Sequence, residues 1–354
     1  MTFSNPLLPL LRFREVQGLS RSRVLLPFSV LIDEERHSRT ISISVRLVYN
    51  ESGQFSSLYI LPRFVLTPLS FFEGRWPGRT SLGKESMDHH PKRRSVITQD
   101  IQSFSVDKLT VKIYPDRRAM GKAAGQAVAS KMRQALKTRE KLSMVFAAAP
   151  SQNEFLEELS GIPGIDWNRG VAFHRDEYLG LPGTSPRSFG NFLRSRLFEK
   201  VRPGKVHYLN GMTDDPEAEC GRYARLLYRH PLDIACIGIG ENGHIAFNDP
   251  PVADFKDPLR VKIVDLDLTS RQQQINDGCF QELERVPKRA MTLTLPAIFV
   301  ARFIYCIVPA PSKAEAVRRT LKGVISTECP ASILRRHEHA ILFLDPDSAS
   351  RLLS

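Results

Sequence analysis

Between Cys236 and Pro251 the chain reads Cys-Ile-Gly-Ile-Gly-Glu-Asn-Gly-His-Ile-Ala-Phe-Asn-Asp-Pro-Pro. An apolar run breaks into glycines and then gathers Asn242, His244 and Asp249. Gly238, Gly240 and Gly243 let the backbone turn sharply at the end of a strand. A histidine held against a carboxylate has its tautomer and charge set by that partner, which is how a proton-transfer residue is usually built. A lone loop histidine would be read as part of a turn. The density of Gly, Asn, His and Asp directly after a strand-sized apolar run favours proton transfer instead. A second constellation is Phe173-His-Arg-Asp-Glu-Tyr-Leu-Gly-Leu-Pro182. Asp176 and Glu177 follow an apolar run; alone they would read as a solvated turn, but beside the first loop they are acid/base candidates.

Such side chains need rigid elements to aim them. Residues 117–138 carry apolar positions at helical spacing, and 142–149 read as a buried strand. A helix is expected over 151–159, with Ser151 or Asn153 able to cap it. Further strands are expected over 170–174, 232–239, 261–266, 290–295, 303–308 and 340–344. Helices are expected over 188–199, 216–230 and 313–321. Strands alternating with helices predict an α/β fold with a doubly wound, mostly parallel sheet flanked by helices. Ligands bind such sheets at the carboxyl ends of the strands. The loops after Ala149, His174 and Ile239 are therefore the ones that matter.

Hydrophobic residues make up 42% and charged residues 25% of the 354, an ordinary globular composition. No apolar run reaches the roughly 18 residues a membrane span needs. The net charge of +12 is spread along the chain, no nucleic-acid-binding signature accompanies it, and a phosphorylated small molecule suits it. Five widely spaced cysteines without a CxxC pair suggest neither a disulfide framework nor a zinc knuckle. The expected compartment is the reducing cytoplasm. Residues 1–86 differ from the rest: they contain no Ala, and their only Lys is Lys84. A strand is conceivable over 40–49. Two readings stand for this stretch, a small added module or a natural start at Met87. The expected division is an extension over 1–100 and a catalytic domain over 101–354.

The segment around His244 resembles the active-site loop of the glucosamine-6-phosphate deaminases, which are related to the 6-phosphogluconolactonases. Asn242, His244, Phe247, Asn248 and Asp249 match its pattern. The lactonase branch runs Ala-Ser-Leu-Phe-Pro after the histidine, and this chain does not. Asp176-Glu-Tyr-Leu-Gly-Leu is similar to the deaminase signature, where lactonases show Asp-Glu-Arg. Ser188-Phe189 resembles the deaminase helix start. The resemblance spans about 111–344. It implies the modified Rossmann fold shared with ribose-5-phosphate isomerases and CoA transferases. It further implies that Ser151, Gln152, Lys313 and Arg271 contact phosphate, that Glu177 contacts substrate, and that His337 matches a family histidine. The relatives carry Gly where this chain has Ala148, Ala149 and Pro150, which bears on the phosphate geometry.

The implied reaction is aldose–ketose isomerisation with loss of ammonia. His244, oriented by Asp249 and Asn242, would open the sugar ring, and Asp176 would carry a proton from C2 to C1. That chemistry requires no cofactor and no metal. The expected partner is a small sugar phosphate, with a homo-oligomer left open and no nucleic acid or membrane. Two alternatives remain: a lactone hydrolase, or a sugar-phosphate-binding regulator without turnover.

Overall fold

The computed structural model describes residues 25–32, 39–49, 55–63 and 102–352. The chain divides into two units, residues 1–91 and 92–354. In the first, β1 (Leu25–Ile32), β2 (Arg39–Tyr49) and β3 (Phe55–Arg63) form an antiparallel meander. The strand expected over 40–49 is β2; Met87 lies outside the described residues.

In the second unit the chain runs β4 (Gln102–Val106), β5 (Leu109–Ile113), α1 (Arg117–Leu136), β6 (Leu142–Phe146), α2 (Asn153–Gly161), β7 (Gly170–His174) and β8 (Asp176–Tyr178). Next come α3 (Phe189–Leu193), which continues through a π-helical turn into α4 (Glu199–Val201), then β9 (Lys205–His207), α5 (Pro216–Arg229) and β10 (Ile234–Ile237). The remainder is β11 (Val261–Asp265), α6 (Leu268–Asn276), β12 (Arg289–Leu293), α7 (Leu295–Phe299), β13 (Phe303–Val308), α8 (Ala314–Lys322) and β14 (Ala340–Leu344).

Eight strands form one sheet in the order β4-β5-β14-β13-β10-β6-β7-β9, parallel throughout except for the β4–β5 hairpin. Every residue of β6, β7 and β10 is buried, as expected of strands covered on both faces. Alternate residues feed two cores. Val145, Phe173, Ile237 and Ile304 pack with Tyr223 of α5 and Val317 of α8. Phe146, Ala172, Cys236 and Ile307 pack with Met120 of α1, Phe155 of α2 and Leu193 of α3. Helices α1 and α2 approach closely because α1 is small-sided: a Cβ on Gly121 would lie 2.5 Å from Cβ of Glu154. The five cysteines are free, and four are buried.

From β6 the chain winds outward to β7 and β9; from β10 it winds the other way, to β13 and β14. Since β6 and β10 are adjacent, the strand order reverses between them. A crevice at the carboxyl ends of two such strands is the usual ligand site of an open α/β sheet.

Two expectations need correction. The strands expected over 261–266 and 290–295 leave the parallel sheet; as β11 and β12 they join β8 in a separate antiparallel sheet, order β11-β12-β8. Apolar patterning identifies a strand but not its partner, and Asp-Glu-Tyr has no apolar run to announce β8 at all. Neither Ser151 nor Asn153 caps α2, whose start is a 3₁₀ turn, Pro150–Gln152, with no side-chain capping bond.

Candidate active site

The loop after β10 is shaped around one imidazole. A Cβ on Gly240 would lie 2.1–2.4 Å from the ring atoms of His244, so only glycine lets the ring lie against that backbone. Gly240 N–H donates to the His244 carbonyl at 2.9 Å, and Gly243 has φ +92°, where a side chain would be strained. The ring is nearly buried, at 7% exposure. Its Nδ1 faces three oxygens: Asn242 Oδ1 at 2.8 Å, Asp249 Oδ1 at 2.9 Å and Ser270 Oγ at 3.0 Å. Asn242 Oδ1 also accepts from His244 N at 2.9 Å, while its Nδ2 donates to Asp249 Oδ1 at 2.8 Å. Ser270 Oγ donates to the same Asp249 oxygen. An amide oxygen and a carboxylate oxygen can only accept, so the network assigns the proton to Nδ1 and leaves Nε2 for proton exchange.

Burial by itself would raise the pKa of Asp249. The charge of His244 and hydrogen bonds from His244, Ser270 and Asn242 outweigh it, and the carboxyl is held below its ordinary value.

The small antiparallel sheet brings Asp176 to this loop. Asp176 in β8 pairs with Thr292 in β12. Thr292 Oγ1 in turn accepts from Phe247 N at 3.0 Å. Asn248 Nδ2 donates to Ile245 O at 2.9 Å and to Leu293 O at 2.8 Å. One strand, β12, thus holds both the His244 loop and the Asp176 strand. Asp176 is 3% exposed. Burial raises its pKa, with the charges of Arg175 and His244 opposing. A carboxyl shifted toward neutrality is a stronger base when ionised.

The expected phosphate elements stand at the same carboxyl ends. Gln152 Nε2 donates to Ile307 O at the end of β13 and to Ser151 Oγ, both at 3.1 Å. A Cβ on Gly238 would lie 3.0 Å from that Nε2, so Gln152 rests on the end of β10. The Ala148-Ala149-Pro150 departure is accommodated without strain. Ala149 is extended, at φ −155°, and Pro150 starts the 3₁₀ turn, where its missing N–H is not needed. Lys313 follows β13; it is 4% exposed and its Nζ has no hydrogen-bond partner. Burial lowers its pKa, against the attraction of Asp277 and Glu241.

The protein's own groups engage three of the residues named from the resemblance. Glu177 is 1% exposed and turned to the protein's own donors. Its Oε1 accepts from Tyr178 N and Phe189 N, and its Oε2 from Ser188 Oγ and Gly190 N, which anchors the start of α3. Arg271 Nη2 donates to the carbonyls of Leu283 and Val286, fixing the loop before β12. His337 bonds Ala301 O at 2.9 Å, before β13 begins, and so sits at the amino ends of the strands. A cavity of about 260 Å³ beside Arg139, Asp233 and Arg302 also lies at those amino ends, away from His244.

Sequence reasoning missed Ser270, Thr292 and Arg175. Ser270 and Thr292 reach the site only through the docking of α6 and β12, and no local pattern marks them. Arg175 carried a signal, a cation directly before an Asp-Glu pair. Among the described residues no group of three or more His, Cys, Asp or Glu side chains could hold a metal ion. No described helix is long and apolar enough to cross a membrane.

The family model described as glucosamine-6-phosphate isomerases/6-phosphogluconolactonase matches residues 115–343, more than half of the chain. A glucosamine-6-phosphate deaminase of Streptococcus pyogenes serotype M3 is 35% identical over 207 residues, covering 58% of this chain and 86% of the relative. One from Listeria welshimeri is 36% identical over 188 residues, covering 53% and 78%. A solved monomeric glucosamine-6-phosphate deaminase superposes with a TM-score of 0.63 at 30% identity, over 68% of this chain and 98% of that one. The 6-phosphogluconolactonase of Thermotoga maritima shares the fold, with a TM-score of 0.56 at 21% identity over 67% and 100%. With the matched segment running from the start of α1 into β14 and taking in every residue of the site, the chain belongs to the glucosamine-6-phosphate isomerase/6-phosphogluconolactonase family.

Proposed function

We propose that the protein is a glucosamine-6-phosphate deaminase-like enzyme that converts glucosamine 6-phosphate and water to fructose 6-phosphate and ammonia. The observation that carries this reading is the pairing of two proton carriers at one site: His244, its Nδ1 turned to Asn242, Asp249 and Ser270, and the buried Asp176, whose carboxyl feels the charge of His244.

The steps follow from that arrangement. His244 Nε2 takes the C1 hydroxyl proton and passes it to the ring oxygen, and the pyranose opens to the aldehyde. The Asp176 carboxylate takes the C2 hydrogen as a proton while the C2 ammonium yields one to the aldehyde oxygen, giving an enolamine. The same carboxyl returns the proton to C1, leaving an iminium at C2. Water adds to that carbon, the nitrogen leaves as ammonia, and the ketone remains. A phosphate held remotely by Ser151, Gln152 and Lys313 presents one face of the sugar to Asp176 throughout. The lock on Nδ1 matters because a histidine free to flip would offer the wrong nitrogen half of the time.

The expected cytoplasmic location and the small sugar-phosphate partner go with this reading. Its test is ammonia release over a panel of hexosamine phosphates, with 6-phosphogluconolactone hydrolysis measured alongside. Ammonia from glucosamine 6-phosphate supports the reading; lactone hydrolysis without it favours the other branch, and binding without either leaves a regulator.

A further inference from the structure

Arg175 joins the last residue of β7 to the candidate base. Its side chain is 10% exposed, and Nε lies 3.3 Å from Asp176 Oδ2. Both Nε and Nη1 are buried and hydrogen-bond to nothing. Arg271, the other buried arginine near the site, also has an unbonded Nε, but its Nη2 is engaged by two carbonyls. The main chain at Arg175 is fixed, because its carbonyl accepts from Leu293 N at 2.8 Å.

A guanidinium remains charged at every pH a protein meets. Away from water such a charge is tolerated only beside an opposite one. Among the described residues Asp176 is the one ion-pair partner of Arg175. The other groups around the pair differ in kind. Glu177, next in β8, has both oxygens taken by donors at the start of α3. His244 has its Nδ1 turned to Asp249. Tyr178 and, on α5, Tyr223 are buried phenols held neutral. Cys306 on β13 is a buried thiol pushed up by burial, with Arg175 opposing. Among the described residues Arg175 is therefore the one permanent cation paired with the carboxylate.

We propose that Arg175 is a positioning residue, whose solvent-shielded ion pair holds the Asp176 carboxylate ionised and in one orientation before substrate arrives. The idea rests on the reading of Asp176 as the base. Burial drives Asp176 toward its protonated form, and Arg175 is the larger of the two charges that oppose this. Without Arg175 the base would be protonated over more of the working pH range, and it would lose the contact that aims it.

Two measurements on the full chain test this. The first follows Asp carboxyl carbons by ¹³C NMR through a pH titration, with the Asp176 signal assigned by its loss in Asp176→Asn. The Asp176 midpoint should move up by at least about one pH unit in Arg175→Met. An unmoved midpoint overturns the proposal, whatever the protein catalyses. The second is the pH dependence of kcat/KM for ammonia release. The acid limb should move up with the carboxyl, and the rate at high pH should return to within about threefold of wild type. A uniform loss at every pH with the limb unmoved indicates a structural role and contradicts the proposal. Arg175→Gln gives the same comparison should the Met variant fail to fold. If wild type releases no ammonia, the catalytic reading falls while the carboxyl titration still decides whether Arg175 keeps Asp176 ionised.

Discussion

His244 Nδ1 lies 2.9 Å from Asp249 Oδ1, and that one carboxylate oxygen also receives the Asn242 amide at 2.8 Å and the Ser270 hydroxyl at 2.5 Å. Three donors therefore converge on one acceptor. In the proposed mechanism the carboxylate would neutralise an imidazolium, and the two neutral donors hold the carboxylate in place.

Asp249→Asn should lower kcat for ammonia release by about 10²-fold or more, because an amide can neither stabilise the imidazolium nor fix its tautomer. Ser270→Ala should cost about tenfold, since it removes one hydrogen bond to an ionised carboxylate, worth roughly 1.5 kcal/mol. Steady-state kinetics check both. The pH dependence of stability carries a sign. Asp249 has a lowered pKa when folded, so its contribution is present above the ordinary carboxylate pKa of about 3.9 and is lost as pH falls through the lower folded value. The melting temperatures of wild type and Asp249→Asn should differ at pH 7 and converge in acid. A difference that persists in acid would exclude this linkage.

Lys313→Met should separate binding from stability. Its Nζ is buried without a hydrogen-bond partner, and burial depresses its pKa. A lysine lowered in this way opposes folding below the ordinary lysine pKa, and does so fully once pH is under the folded value. Replacing it with a thioether of similar length should raise the melting temperature at pH 7 by a few degrees. It should also raise KM for the sugar phosphate by about tenfold or more, with kcat changed less. An unchanged KM would remove Lys313 from the phosphate site.

How far the sequence revealed this site depends on the kind of residue. His244, Asn242 and Asp249 were legible because eight consecutive residues contain all of them and a glycine-broken apolar run precedes them. Asp176 was legible as one of a pair; the residue types alone did not divide it, and the resemblance did, giving Asp176 the proton and Glu177 a substrate contact. Asp176 faces the site while Glu177 turns back to the start of α3, because neighbours on a strand point to opposite sides. The strand order was not legible, since β11 and β12 have ordinary apolar patterning and pair away from the main sheet. The resemblance pointed to Arg271 as a phosphate contact; only the fold shows the Leu283 and Val286 carbonyls at its Nη2.

A chain beginning at Met87 should fold and retain the wild-type kcat. The family match begins at residue 115, and the last described strand of the first unit ends at Arg63. Circular dichroism melting and ammonia release on the shortened chain check this. Loss of folding would make residues 1–86 part of the domain.

The central claim is that Asp176 moves the proton between C2 and C1. Asp176→Asn keeps the shape of a side chain that is 3% exposed and removes its basicity. The decisive measurement follows ammonia release and exchange of the C2 hydrogen of glucosamine 6-phosphate with deuterated solvent, in wild type and in Asp176→Asn. The variant should still fold and bind the sugar phosphate, melting below wild type because Arg175 loses its ion-pair partner. It should lose at least about 10²-fold in ammonia release and show no C2 exchange. Near-normal ammonia release with continued exchange would mean another group carries the proton, and the mechanism proposed for this site would be wrong.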